Sequence, residues 1–247
     1  MFEINPFGVL AASIPPAVMQ AYIVVMAVLV VAGTLFDIVH KGSARYFFEN
    51  WRRSKGKRVG GGELATIAVK TALVDVLASG EFCNARRRLA HLLTMYGFVL
   101  YVVATVVLVF SPSAPAIWAR LWWLGGALVL VGGYWFWFFI RVDVAAEGYS
   151  PLRITRADLF VLSLLASVTL GLLWGWLQSW VLFGLYLIAT TVLFGSVPWS
   201  KFAHMFFKPA AAFEKRVSYA NGTRSNLPAP VDKPEQFGRV PKHARHY

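Results

Sequence analysis

The sequence predicts an all-α integral membrane protein. The expected architecture is a five-transmembrane-helix bundle, N-terminus outside and C-terminus cytoplasmic, with one interfacial amphipathic helix. Three observations predict it. Of the 247 residues, 57% are hydrophobic and 15% charged, against about 45–50% and about 25% in soluble domains. The apolar residues come in blocks near the roughly 20 residues that a spanning helix needs. The surplus charge, net +12, lies in the gaps between those blocks, which is how a membrane protein sets its orientation. That placement argues against nucleic acid as the partner of the basic residues. The single cysteine, Cys83, excludes a disulfide framework. It also excludes an iron–sulfur cluster held by this chain alone, which takes about four cysteines. No C-x-x-C-H is present for a covalent haem.

The first span runs from 17 to 39, with Pro15 and Pro16 where proline suits a helix start. Residues before it carry Glu3 and no Lys or Arg, so no cleavable signal peptide is expected. A cytoplasmic loop, 40–88, follows. Its first part is basic and closes on Gly60-Gly61-Gly62, a hinge without the Lys-Ser/Thr of a phosphate-binding loop. Residues 63–79 have helical periodicity, with Leu64, Ile67, Ala68, Val74 and Leu77 apolar and Glu63, Lys70 and Asp75 interrupting. This pattern suits a helix lying at the membrane interface; a helix packed inside a soluble lobe fits it too.

The second span, 89–110, follows Arg86, Arg87 and Arg88 and closes on Ser111-Pro112-Ser113. The third, 121–140, carries Gly125-Gly126 and Gly132-Gly133, a spacing that lets a neighbouring helix come close. A polar loop, 141–158, leads to the fourth span, 159–176, and Gln178-Ser179 leads to the fifth, 180–207. Pro198 is expected to kink that helix without ending it, because Phe202, Ala203, Met205, Phe206 and Phe207 resume the apolar character. At 1.5 Å per residue the fifth helix would be roughly 42 Å long. The membrane domain is thus 1–213. The remaining tail, 214–247, has several prolines and no apolar period, and is expected to be disordered or extended.

Positive charge fixes the orientation. The first 40 residues hold no Lys or Arg, the loop 40–88 is crowded with them, the loop after the second span has only Arg120, and the tail is basic again. The N-terminus is therefore outside and the C-terminus inside, in a bacterial inner membrane. Trp118, Trp122, Trp123, Trp174, Trp176 and Trp180 then gather at the outer side as an aromatic belt.

Of five histidines, His243 and His246 lie in the polar tail and read as solvated. His40, His91 and His204 lie at the cytoplasmic ends of spans, where ionisable groups near lipid mark function by default. A b-type haem in a helix bundle takes two axial imidazoles from facing helices, and His91 and His204 suit that best. Arg87 and Arg88 lie four and three residues before His91, and Lys201 three before His204. Those offsets put cations for the propionates on the histidines' faces. Gly97, about two turns deeper, would leave room for a porphyrin. Two histidines placed in the headgroup zone read equally well from spacing alone. Asp37 lies one turn before His40; the pair could exchange protons with a quinone, or simply cap the span in water. Cys83 reads as a palmitoylated or buried structural cysteine.

The order and spacing of FDIVHKGSARYFFENW, AVKTALVDVL, FCNARRRLAHLLTMYGFVLY and PWSKFAHMFFKPAAAF resemble a known group of membrane proteins. These are the membrane half of the membrane-embedded subunit of the quinone-interacting membrane-bound oxidoreductase and, more so, the stand-alone anchor linked to adenylylsulfate reductase. Both belong with the gamma (cytochrome b) subunit of respiratory nitrate reductase. The resemblance covers roughly residues 17–213. It implies an electron conduit, not catalytic alone, between the quinone pool and cytoplasmic flavin/iron–sulfur subunits of dissimilatory sulfur metabolism. It also implies haem iron held by His91 and His204. Gamma-type subunits hold a second, outer haem. Here the corresponding depths, three turns from His91 and five from His204, are Tyr101 and Tyr186. One haem b is therefore expected, with the quinone site beside it, lined by His40, Asp37, Lys201 and the arginines. A haem-free structural anchor that docks the same complex is the alternative.

Overall fold

Every regular element among the described residues is a helix. The computed structural model describes residues 2–40, 45, 49, 58–80, 82, 84–141, 152, 154–155, 158–199 and 204–223, with backbone alone for 204–207. The basic stretch 50–57, Cys83, Lys201 and residues 224–247, with His243 and His246, lie outside the described residues.

Helix α1 (Pro6–Leu10) has no counterpart in the sequence pattern, because five residues carry no readable period. It forms because Pro6 presets the first turn and the Asn5 side chain accepts from the Phe7 backbone N–H at 3.0 Å. Asn5 also donates to the Leu108 carbonyl at 2.9 Å, so a capping residue ties the amino-terminal turn to the bundle.

The long helices follow the apolar blocks. They are α2 (Pro16–His40), α4 (Ala85–Phe110), α5 (Ala116–Trp135, widening into π turns through Ile140) and α6 (Leu159–Leu177). All four are long and apolar enough to cross a membrane. Between α2 and α4 lies α3 (Gly61–Lys70), which widens into π turns over Thr71–Leu77. Asn84 caps α4 by accepting from the Arg86 and Arg87 backbone N–H groups. Gln178, in the left-handed region at φ 49°, ends α6 and turns the chain into the next helix.

The expected fifth span, 180–207, is not one kinked helix. Helix α7 (Trp180–Gly195) stops three residues before Pro198, and Ser196–Trp199 form turns. Proline lacks the N–H that would bond Phe194 and crowds its carbonyl, and the residue before it avoids helical geometry. The 16 apolar residues of α7 extend about 24 Å. A separate helix, α8 (His204–Ala220), follows. It continues seven residues past 213, so the expected polar tail begins later than its composition implies.

Helices α2, α4, α5, α6 and α7 pack in a closed ring: α2 on α4 and α7, α4 on α5, α5 on α6 and α6 on α7. The two glycine pairs face both ways. A Cβ at Gly125 or Gly132 would come within 2.6 Å of α4 backbone, at Tyr101 N and Ala90 O. One at Gly126 or Gly133 would meet α6, at Leu172 and Leu165. Each pair thus admits two neighbours where the spacing alone implied one. Helix α2 is the least enclosed: 17% of its apolar window is buried, against 39% for α5 and α6.

Candidate functional site

The ring has two distinct ends. At one, the start of α5, the end of α6 and the start of α7 bring their tryptophans together with α1. Trp176 and Trp180 are exposed, as a belt requires, but Trp122 and Trp174 are fully buried. Phe7 explains the difference, since its ring packs at 6.0 Å from Trp122 and 5.1 Å from Trp174. Beneath this plug Tyr101 stacks on Trp122 (5.2 Å) and Tyr186 on Trp174 (5.9 Å). The Tyr101 hydroxyl donates to that of Tyr186 at 3.4 Å.

At the other end α3 and α8 pack together, and side chains from the first turns of α4 reach the end of the helix running through Leu77. Arg216 on α8 forms a bidentate pair with Asp75, at 2.6 and 2.9 Å. That hydrogen bonding raises the Arg216 pKa, so its charge is held still more firmly. Arg88 donates from Nε to the Ala78 carbonyl at 2.7 Å and Tyr96 donates to the Leu77 carbonyl at 2.7 Å. Both bonds satisfy carbonyls where the helix running through Leu77 ends. Leu64 and Ile67 lie on the packed side of α3, as the periodicity implies. Ala68, Val74 and Leu77, expected on the same side, are exposed instead.

His91 sits in this end, partly buried, with the Phe82 ring edge-on at 4.8 Å. From α8, Lys208 places its ammonium 5.2 Å from the centroid of the same ring. Lys208 lies one turn beyond His204, whose side chain lies outside the described residues. Phe82 therefore draws the start of α8 to His91. No period marks Phe82, and Lys208 reads as the end of an apolar run, so neither announces itself in the sequence. Arg87 lies 6.0 Å from the Phe136 ring centroid.

Two expected members behave differently. A Cβ at Gly97 would come within 2.7 Å of Leu128 Cβ and 2.8 Å of the Gly125 carbonyl. The space this glycine leaves is taken by α5, not kept open for a ring. Asp37 is 6% exposed, whereas His40, three residues on, is exposed and stacks on Phe36 at 4.8 Å. The same helix end thus carries an inward carboxylate and an outward imidazole.

A further polar cluster joins α5 to α6. Arg141 lies 3.9 Å over the Trp137 ring and donates to Asp158 at 2.5 Å. Thr155 donates to the same carboxylate from its N–H (2.8 Å) and hydroxyl (2.9 Å). Burial pushes the Asp158 pKa up, but these bonds and the Arg141 charge outweigh it and leave the pKa lowered.

Among the described residues no group of three or more His, Cys, Asp or Glu converges as a metal site; an axial haem pair needs two imidazoles. The half-buried imidazole of His91, the aromatic Phe82 and the nearby cations Arg87 and Lys208 fit a propionate-bearing, planar, largely apolar group, whereas Arg88, expected among those cations, is engaged at the Ala78 carbonyl. Comparison with known proteins adds no relative: no family model, curated protein or solved structure matches this chain.

Proposed function

We propose that this chain is the membrane anchor and electron-transfer subunit of a quinone-linked oxidoreductase, with α7 as its fifth span. It lies in a bacterial inner membrane with the α3/α8 end facing the cytoplasm. One b-type haem is held there between His91 and His204, and would supply one-electron transfer. Phe82 carries this reading. It touches both His91 and Lys208, and so brings α4 and the helix that begins at His204 to one place. Lys208, Arg87 and Lys201 would neutralise the propionates, while Gly97 has no part in the site.

Tyr101 and Tyr186 support a single haem. They stand at the depth of an outer ligand pair, each stacked on a buried tryptophan, and offer phenols there where a b-type haem takes imidazoles. Electrons would pass to cytoplasmic flavin/iron–sulfur subunits of the adenylylsulfate reductase kind, whose clusters this one-cysteine chain cannot itself hold. The basic loop and α8 would grip an acidic partner or anionic lipid. Buried Asp37, with His40 at the membrane edge, would handle the proton exchanged with a quinone.

A haem-free anchor is the second reading. It is favoured by Arg88, whose bond to Ala78 is structural. A reduced-minus-oxidised spectrum of the purified chain separates the two. A b-type α-band that disappears in His91→Ala and in His204→Ala, and persists in His40→Ala, supports the conduit. A colourless chain, assembled with its partner, overturns it.

A further inference from the structure

Helix α2 is held closely at two levels, and between them Ile23, Met26 and Val30 turn toward the bundle. Near its start Gln20 donates to the Val109 carbonyl at 3.4 Å. Two residues on, the Tyr22 hydroxyl bonds the Leu187 carbonyl and Thr191, both at 3.0 Å. Near its other end Gly33 lies so close to the turns after α7 that a Cβ would be 2.9 Å from Val197 Cβ. From Tyr22 to Gly33 the helix rises about 16 Å. Along that length α2 stands off from α4, α6 and α7 and leaves a cavity of about 370 Å³. This volume is in the range of sites that take small molecules.

The walls say what chemistry suits it. Most of the lining side chains are apolar, and the polar ones are bonded to one another: Ser167 with Thr190 at 2.7 Å, Tyr101 to Tyr186, and Thr105 to the Tyr101 carbonyl at 2.7 Å. Water needs two to four polar partners in such a space, and these groups are already engaged. A void of this size, left empty, forfeits the dispersion contacts of its whole lining. The mouth lies between α2 and α4, where Ala27, Val31 and Val106 line the cavity and are exposed. On helices that cross a membrane, exposure at that depth means contact with hydrocarbon.

We infer that the slot between α2 and the rest of the ring is a lateral binding site for one flexible hydrocarbon chain of the bilayer, acyl or isoprenoid. The chain enters past Ala27 and Val106 and lies against Val168 and Leu193. Neither the haem nor the electron-transfer role is needed for this, so the two stand or fall separately.

The test uses the full chain in vesicles containing a phospholipid with a diazirine at its tail end, or a photoreactive prenyl alcohol. After irradiation the labelled residues are mapped by mass spectrometry. Val168 and Leu193 are 1% and 2% exposed and are reached only through the slot; Val24 and Val28 face outward on α2 and report bulk lipid. Label at Val168 or Leu193 from the phospholipid identifies an acyl chain, and label there from the prenyl probe alone identifies an isoprenoid. Ala27→Phe, or Val106→Phe as an independent block at the mouth, should abolish the buried label and leave Val24 and Val28 labelled. Label confined to Val24 and Val28 in the unsubstituted chain, with both probes, overturns the inference. So does buried label that both substitutions leave unchanged.

Discussion

A methyl group at Gly171 would overlap the hydroxyl of Tyr101 and come within 3.0 Å of the Tyr186 ring. This glycine on α6 is what lets the two buried tyrosines meet. Gly171→Ala should therefore destabilise the bundle by about 1–3 kcal/mol, the usual cost of overpacking, read as a lower midpoint of thermal unfolding in detergent. Tyr101→Phe removes the atom that clashes most, so the double variant should lose less than the two single losses added together. Full additivity would mean the clash is relieved elsewhere. Residue-level detail of this kind was hidden in the sequence. Gly97 and Gly171 look alike there, each a glycine inside an apolar helix, and only the neighbour reveals that one admits a carbonyl and the other a phenol. Phe82 was equally silent, as an aromatic in a loop outside any period. His91 was legible because an imidazole inside LAHLLTMYG has no reason to be there except placement or chemistry.

Charged pairs join elements that the hydropathy pattern leaves separate. Asp75 and Arg216 are 141 residues apart, and their bond ties α8 to the turns after α3. Arg216→Asp should free α8 and speed proteolytic cleavage within 204–220; adding Asp75→Arg should restore protection. Cleavage that is unchanged in Arg216→Asp would show that apolar packing alone holds α8. The α5–α6 join titrates. Because the folded-state pKa of Asp158 is lowered, its contribution is complete above the unfolded value of about 3.9. It is lost as pH falls through the lower, folded value. The stability difference between the unsubstituted chain and Asp158→Asn should thus shrink in acid and be constant from pH 5 to 7. A difference that grew on acidification would reverse the assignment. Helix α8 escaped the sequence reading past 213 for the same reason: what holds its last turns is a partner from a distant segment. The break at Gly195 was overlooked because apolar residues on both sides of Pro198 look continuous in a hydropathy count, which does not register a missing N–H.

At the scale of the molecule, hydropathy and charge made most of the architecture readable. The four long helices begin and end within a few residues of the apolar blocks, because burial in lipid imposes a length and a composition that nothing else in the chain mimics. The order of packing, a ring closed by α2 on α7, was not readable, since lipid-facing and protein-facing positions are equally apolar. Nor was the slot beside α2, which exists only because its anchoring contacts are spaced apart. The proposed orientation rests on the basic loops, and single cysteines are its check. With Cys83 replaced by serine, Ser113→Cys should react with a membrane-impermeant maleimide from outside intact cells, and Lys215→Cys, exposed on α8, only after lysis. Reaction of the two in the opposite order would invert the topology. The central claim is one haem at the α3/α8 end, between His91 and His204, with Tyr101 and Tyr186 standing where an outer histidine pair would be. Its most direct test is the ratio of haem b to chain in the purified complex, by pyridine haemochrome against quantified protein. The ratio should be one, falling to zero in His91→Ala. A ratio of two, or of zero in the unsubstituted complex, would contradict it.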